Sequence, residues 1–237
     1  MALHSFSTRP LYLQVRDKLA ERIAAGQWKP GKFIPNESDL AREFGVSLGT
    51  MRRALDFMQE EHLIARRPGR GTFVNDPASD GLLNRFSKIC DADGKPLIGR
   101  VETTNLTEGR ANKAECRRLQ LTDQDAVWRM CKTRFYKEQA FMHEEVFLPA
   151  KLFPNMDDRS TNRIVALAQQ HGVLLGEAHE RISMGEVSPQ AAETLDIGKG
   201  SPIILLDRVV HTINGQPAEW RVGQCRLAPN YYLADMR

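Results

Sequence analysis

Covalent and metal chemistry have little to work with in this 237-residue sequence. Its four cysteines, Cys90, Cys116, Cys131 and Cys225, lie far apart with no C-x-x-C pair. That spacing fits neither a disulfide framework nor the usual zinc sites, and reads as reduced structural thiols. The histidines His143, His171, His179 and His211 form no H-E-x-x-H or comparable metal spacing, and there is no G-x-S-x-G nucleophile elbow. No catalytic residue, metal or cofactor is therefore expected. No apolar run approaches the ~20 residues of a membrane span, and MALHSFSTRP lacks a basic segment followed by an apolar one. A soluble, cytoplasmic protein without a membrane partner is the expectation. Charge of one sign is scarce too, since the net charge is only +3, too little by itself to mark a nucleic-acid binder.

What charge there is has an uneven distribution. Residues 1–76 carry twelve Lys and Arg against nine Asp and Glu, so the whole +3 lies in the first third of the chain. Within it, PLYLQVRDKLAERIAAGQW places Leu11, Val15, Leu19 and Ile23 four residues apart, which predicts a helix of about four turns with Pro10 in its first turn and Gly26 past its end. In IPNESDLAREFGVS, Asn36 can cap a second helix whose first turn holds Glu37 and Asp39, with Leu40 and Phe44 facing inward and Gly45 as the stop. Ser47 can cap a third, LGTMRRALDFMQEEH, with Met51, Leu55 and Met58 buried and Thr50, Arg52 and Arg53 elsewhere. Two short helices around a tight glycine turn make a helix-turn-helix.

The next stretch, ARRPGRGTF, is rich in arginine and glycine, and two readings compete for it. A loop that cradles a nucleotide phosphate needs a strand before its glycines and a helix after them. Here short strands at 63–66 and 71–74 flank the Pro-Gly-Arg-Gly turn, so the segment reads as a β-hairpin following the third helix. Three helices and a hairpin in this order describe a winged helix-turn-helix.

The run PLYLQVRDKLAERIAAGQWKPGKFIPNESDLAREFGVSLGTMRRALDFMQEEHLIARRPGRGTFV closely resembles the N-terminal DNA-binding domain of GntR-family bacterial transcription regulators. The resemblance rests on the PG turn, the helix start IPNE, the GVS turn, the T-x-R of the third helix and the RxGxGTFV wing. It implies that the third helix enters the major groove and the wing tip the minor groove of operator DNA. Thr50, Arg52 and Arg53 then lie at or near the DNA-facing helix end, Arg66 and Arg67 lead into the wing, Arg70 stands at its tip, and Gly69 and Gly71 let the backbone approach closely. Ordinary solvated helix positions for Arg42 and Arg53, and a purely conformational need for the two glycines, are the plainer alternatives. In one place the chain departs from the family: most members have arginine after the Ser of the GVS turn, where this chain has Leu48. Leucine donates no hydrogen bond and can only pack on a thymine methyl or a sugar edge, so an altered operator preference is expected.

Residues 76–81, polar and turn-forming, mark the boundary of the reading head, giving a DNA-binding domain over 1–76, a linker over 77–88 and a second domain over 89–237. In the second domain, strands are expected at 127–134 and 140–148 around Tyr136-Lys137-Glu138-Gln139, with Pro149 as terminator. A helix is expected over 161–171, stopped by Gly172, and a short one over 189–195 after Ser188. A second hairpin over 203–212 and 216–227 turns at Asn214-Gly215. The fold class is α+β, a winged helix-turn-helix joined to an antiparallel-sheet domain.

This half resembles the UTRA effector-binding domain of HutC-subfamily GntR regulators, which shares its fold with chorismate lyase. The segments WRMCKTRFYKEQAFMHEEVFLP and AETLDIGKGSPIILLDRVVHTINGQPAEW, in that order, carry the resemblance. It implies that Lys132 and Arg134, alternating on one strand, hold an anionic group. By the same resemblance Glu144 and Glu219 contact a hydroxyl or amine, and Arg85 and Phe86 belong to a loop that closes over the ligand. Lysine at 132 lacks the bidentate fork of the arginine found in many relatives, and basic residues alternating on a strand also fit a solvated face. The resulting expectation is a homodimeric bacterial regulator, acting as a repressor, bound to a pseudo-palindromic double-stranded operator and controlled by a sugar phosphate, amino acid or carboxylate. The alternative is a sensor or enzyme of chorismate-lyase-like fold whose DNA binding has degenerated, a reading that Leu48 keeps open.

Overall fold

Apolar periodicity changes from helical spacing in the first third to alternation in the remainder, and the chain divides accordingly into two compact units, Met1–Pro77 and Ala78–Arg237. The computed structural model describes residues 9–76, 79, 85–157 and 163–234. Most of the expected linker, including Pro77, Ala78, Asp80 and Gly81, lies outside the described residues.

In the first unit α1 (Leu11–Ala24), α2 (Glu37–Phe44) and α3 (Leu48–Glu60) precede a hairpin of β1 (Ile64–Arg67) and β2 (Gly71–Val74). Asn36 Oδ1 accepts from the Asp39 amide at 2.9 Å, and Ser47 Oγ from the Thr50 amide at 3.1 Å, so both short helices begin on the predicted side-chain caps. Gly45 ends α2 at φ 63°, a left-handed conformation that reverses the chain into α3. Leu40, Met51, Leu55 and Met58 then close over Val15, Leu19, Ile64 and Val74 in one core.

Helix α1 departs from expectation at its start. Pro10 is its N-cap, not a residue of its first turn. Leu11 is 53% exposed, and the buried face runs instead through Val15, Arg16, Leu19 and Ala20. Residues spaced strictly by four advance about 40° per step around a helix of 3.6 residues per turn, so such a stripe walks off the buried face. Arg16 tolerates burial because Asp17 at 2.8 Å and Glu61 neutralise it.

The wing has a third strand-like layer. Ile34 N donates to Thr72 O at 3.0 Å and Val74 N to Lys32 O at 2.9 Å, so the segment before α2 pairs with the outer side of β2. Phe33 lies edge-on to Phe73 there.

The second unit is built on a six-stranded antiparallel sheet. Its strands are β4 (Val101–Arg110), β5 (Ala126–Tyr136), β6 (Gln139–Pro149), β7 (Leu175–Glu186), β8 (Pro202–Thr212) and β9 (Pro217–Cys225). Their order across the sheet is β4-β5-β6-β9-β8-β7. A short pair, β3 (Ile89–Cys90) with β10 (Tyr231–Tyr232), forms a separate two-stranded sheet, with Ile89 and Tyr232 in one hydrophobic cluster with Met142 and Leu206 of the large sheet. Both expected hairpins are present. Lys137 and Glu138 turn the first at φ 47° and 63°, and Gly215 the second at φ 81°.

Helix α4 (Lys113–Leu119) and strands β4 and β7 were not anticipated from the sequence. The helix expected over 161–171 is α5 (Ile164–Gln170), residues 161 and 162 lying outside those described. Helix α6 (Pro189–Leu195) starts on Ser188 as expected. Leu167 and Ala168 of α5 pack with Met130, Val146, Leu148 and Val210 on one face of the sheet. On the opposite face Leu119 of α4 meets Val127, Phe147 and Trp220, while Ala191 and Leu195 of α6 meet Ile203 and Leu205.

Candidate functional site

The first unit holds several of its arginines in place through carboxylates and aromatic rings. Glu37, in the first turn of α2, accepts from Arg52 Nε of α3 at 3.0 Å and from Arg66 of β1 at 3.1 Å. Arg66 also reaches Asp56 at 2.5 Å. One carboxylate therefore ties recognition helix to wing. Glu37 takes the Nε of Arg52, and the side chain is 59% exposed, so its two terminal nitrogens remain available for the bidentate contact a guanine edge accepts. Arg53 lies 4.2 Å over the Tyr12 ring and Arg67 4.4 Å over the Phe73 ring.

Thr50 Oγ1 is 2.9 Å from Ser47 Oγ, part of the α3 cap. At the wing tip Gly69 and Gly71 take φ 70° and 96°, which only glycine adopts at low cost, and the Arg70 amide closes the turn on Arg67 O at 2.9 Å. Arg70 itself enters no ion pair among the described residues. Leu48, first residue of α3, is 43% exposed.

A second constellation lies on one face of the large sheet. Register places Lys132 directly opposite Glu144, Glu144 opposite Gly223, and Arg221 opposite Arg208, with Arg208 in turn opposite Glu180. Glu144 is fully buried and accepts from Arg134 Nε at 2.7 Å, while Arg221 lies 2.8 Å from its other oxygen. Arg208 pairs with Glu180 at 2.7 Å, and the Tyr232 hydroxyl donates to Glu180 at 2.5 Å. Lys132, Arg208, Glu219 and Arg221 are each less than a tenth exposed. Lys132 and Arg134 thus form no solvated face.

Four cations, Lys132, Arg134, Arg208 and Arg221, face three carboxylates, Glu144, Glu180 and Glu219, in low-dielectric surroundings. Desolvation lowers Lys132 to about 8, although Glu219 and Glu144 oppose the shift. Burial pushes Glu144 upward, but Arg134, Arg221 and Lys132 together overcome it and hold the carboxylate at about 2. Glu219 Oε2 is buried without a hydrogen-bond partner among the described residues. Among the described residues the group sets four cations against three carboxylates and holds one buried acceptor without a hydrogen bond, a combination able to take an anion that also bears a hydrogen-bond donor.

The structure brings Lys132, Arg134, Glu144 and Glu219 onto this face together. Arg85 donates to the carbonyls of Leu175 and Gly176 at 2.9 and 2.6 Å and stacks on Phe86, which packs against the hydrophobic cluster that includes Met130 and Val146. Sequence reasoning missed Arg208, Arg221, Glu180 and Tyr232. A charged residue inside an otherwise apolar strand, as in LLDRVV, is the signal that marks Arg208. No group of three or more His, Cys, Asp or Glu side chains with metal-binding geometry occurs among the described residues.

Residues 11–74 match the bacterial regulatory proteins of the gntR family, and residues 99–228 match the UTRA domain. The chain is 33% identical over 152 residues, 62% of either chain, to the mannosyl-D-glycerate transport/metabolism system repressor MngR of Escherichia coli K12. It is 28% identical over 203 residues to the histidine utilization repressor of Pseudomonas putida, covering 84% of this chain and 81% of that one. Among solved structures, the possible transcriptional regulator YydK from Bacillus subtilis superposes with a TM-score of 0.59 at 16% identity, over 94% of this chain and 99% of the other.

Proposed function

Because the chain belongs to the gntR family of bacterial regulatory proteins and carries a UTRA domain, we propose that it is a homodimeric repressor released from a two-fold operator by a small anionic effector. It is a DNA-binding transcription regulator under effector control. In this reading, residues 1–76 form the reading head, 77–88 the linker and 89–237 the effector and dimerisation domain. Thr50, Arg52 and Arg53 meet the major groove, and Arg66, Arg67, Gly69, Arg70 and Gly71 form the wing that follows the backbone into the minor groove.

The observation that carries the effector reading is a buried cluster that, among the described residues, sets four cations against three carboxylates and leaves one Glu219 oxygen without a hydrogen bond. Net positive charge in a low-dielectric site favours an anion, and the orphaned acceptor favours one that also carries a hydroxyl or ammonium group. Relatives named for mannosyl-D-glycerate and for histidine utilisation point the same way, since both compounds carry a carboxylate. For the effector to act, it must bind one arrangement of the two heads better than the other, because equal affinity shifts nothing.

Two measurements test the reading. A gel shift with the promoter region of the protein's own gene, at two salt concentrations, is expected to give a specific complex that weakens as salt rises. No specific complex and no salt dependence would favour a sensor with degenerate DNA binding, the reading suggested by the exposed Leu48. A thermal-shift screen of sugar phosphates, amino acids and small carboxylates should then raise Tm for an anionic member and leave neutral analogues silent.

A further inference from the structure

We propose that Phe33, in the segment that precedes α2, is a further DNA contact, its ring packing on the deoxyribose walls of the minor groove beside the wing. The inference rests on the regulator reading and adds to it a residue outside both the third helix and the hairpin.

Phe33 pairs with Phe73 of β2, so the hairpin is widened into a three-stranded layer. Alternation gives that layer two faces. Ile34, Ile64 and Val74 enter the core of the first unit, while Phe33, Ala65, Arg67 and Phe73 stand on the other face. There the Arg67 guanidinium lies 4.4 Å over the Phe73 ring, and the Phe33 ring meets Phe73 edge-on with 6.4 Å between centroids. Phe33 also reaches toward the wing tip, its Cδ1 lying 3.6 Å from where a Cβ on Gly71 would stand. At 65% it is the most exposed large hydrophobic side chain among the described residues.

An exposed ring by itself carries no assignment, since single apolar side chains are common on protein surfaces. The charge around this one supplies it. Residues 27–36 and 62–75 contain Lys29, Lys32, Arg66, Arg67 and Arg70 and no Asp or Glu. Lys29, Lys32, Arg67 and Arg70 are exposed and enter no ion pair among the described residues. A second copy of the chain docked on this face would set like charges against one another, whereas a polyanion is attracted to it. Phenylalanine has no hydrogen-bonding group and so reads no base edge; what a duplex offers it is the C–H surface of the sugars, flanked by phosphates. An apolar ring set among unpaired cations, beside glycines that let the backbone come close, matches that alternation of sugar and phosphate.

Binding of the full-length protein to the promoter region of its own gene provides the test. Phe33→Ala is expected to weaken operator and random duplex alike by about tenfold, the worth of one largely covered apolar ring. The salt slope should stay as in the wild type, because an apolar contact releases no counterion. Phe33→Leu, which keeps apolar volume, should recover most of the loss. Hydroxyl radicals attack deoxyribose hydrogens exposed in the minor groove, so sugars beside the wing should be protected by the wild type and become reactive with Phe33→Ala while the rest of the footprint persists. Should Phe33→Ala lower Tm or the salt slope, the wing itself is disturbed and a second arm decides. Replacement of Phe33 by p-benzoylphenylalanine keeps an aromatic ring there and, on irradiation, should cross-link to the DNA strand at those same sugars. Unchanged affinity of a folded Phe33→Ala protein, or an absent cross-link, overturns the contact while the regulator reading stands. A wild type that binds no operator overturns the regulator reading itself, and the contact with it.

Discussion

Glu37 holds Arg52 and Arg66 at 3.0 and 3.1 Å, an acidic side chain among the arginines proposed to meet DNA. Charge and position therefore predict opposite effects for Glu37→Gln. Loss of a negative charge should strengthen binding to random duplex about twofold by Coulomb attraction alone. Loss of the anchor should weaken operator binding about tenfold, because a bidentate base contact depends on a fixed fork. Fluorescence anisotropy on both duplexes decides: parallel changes in the two affinities would leave Glu37 a merely structural role. Arg70→Ala should weaken operator and random duplex alike and lower the salt slope by about one, as for a phosphate contact, and unchanged affinity would remove Arg70 from the interface. For Leu48, replacing half-site thymines one at a time with uracil should cost about fourfold at a single position, the worth of about 0.8 kcal/mol for one buried methyl. That penalty should vanish in Leu48→Ala; a uniform response across all thymines would show that Leu48 reads no methyl.

Strands carry the second set of consequences. Lys132 sits on β5 with its folded-state value lowered by burial from 10.5 to about 8. A base whose folded value lies below its unfolded one releases its proton first in the folded protein, so its contribution to stability grows as pH rises from about 8 toward 10.5. Anion affinity should move the other way, level below about pH 8 and weakening above it as Lys132 loses its charge. Calorimetric titration across pH 6 to 9.5 checks this, and Lys132→Met should abolish the pH dependence and the anion response while leaving the effector-free protein at least as stable. Gly99 precedes β4, and a Cβ there would collide with the Phe135 carbonyl oxygen. Gly99→Ala should therefore cost about 3 kcal/mol in urea denaturation, at the upper end of overpacking penalties.

The strands missed in the sequence share a physical cause. Alternation is written into a strand when one face is covered by a core, and β4 and β7 are the sheet's edges, where most of β4 and the stretch Arg181–Met184 of β7 are exposed on both faces, which removes that pressure. The inner hairpins were legible because Asn214-Gly215 fixes its turn locally and both flanking strands are half buried. Helix α4 has a readable signal in its capping box, Asn112 with Glu115, but its seven residues are too few for an apolar stripe.

At the scale of the whole molecule, DNA and effector must be linked reciprocally. If effector weakens operator binding by some factor, operator weakens effector binding by the same factor, and couplings of this kind amount to about 5- to 150-fold. Effector titrations with and without saturating operator should give matching ratios; an effector affinity indifferent to operator would leave the two units uncoupled.

By itself the sequence determined the parts whose causes are local. Asn36 and Ser47 fix where α2 and α3 begin, Gly45 fixes the turn between them, and the glycines around Arg70 fix the wing, each acting over a few residues. The tertiary structure alone decided the rest. Lys132 and Arg134 were legible as a basic pair, but their burial against Glu144, and the arrival of Arg221 and Arg208 beside it, depend on strand register between residues up to about ninety positions apart. The charge balance of the site, and with it the sign of the ligand it favours, is a sum over those neighbours and is written in none of them singly.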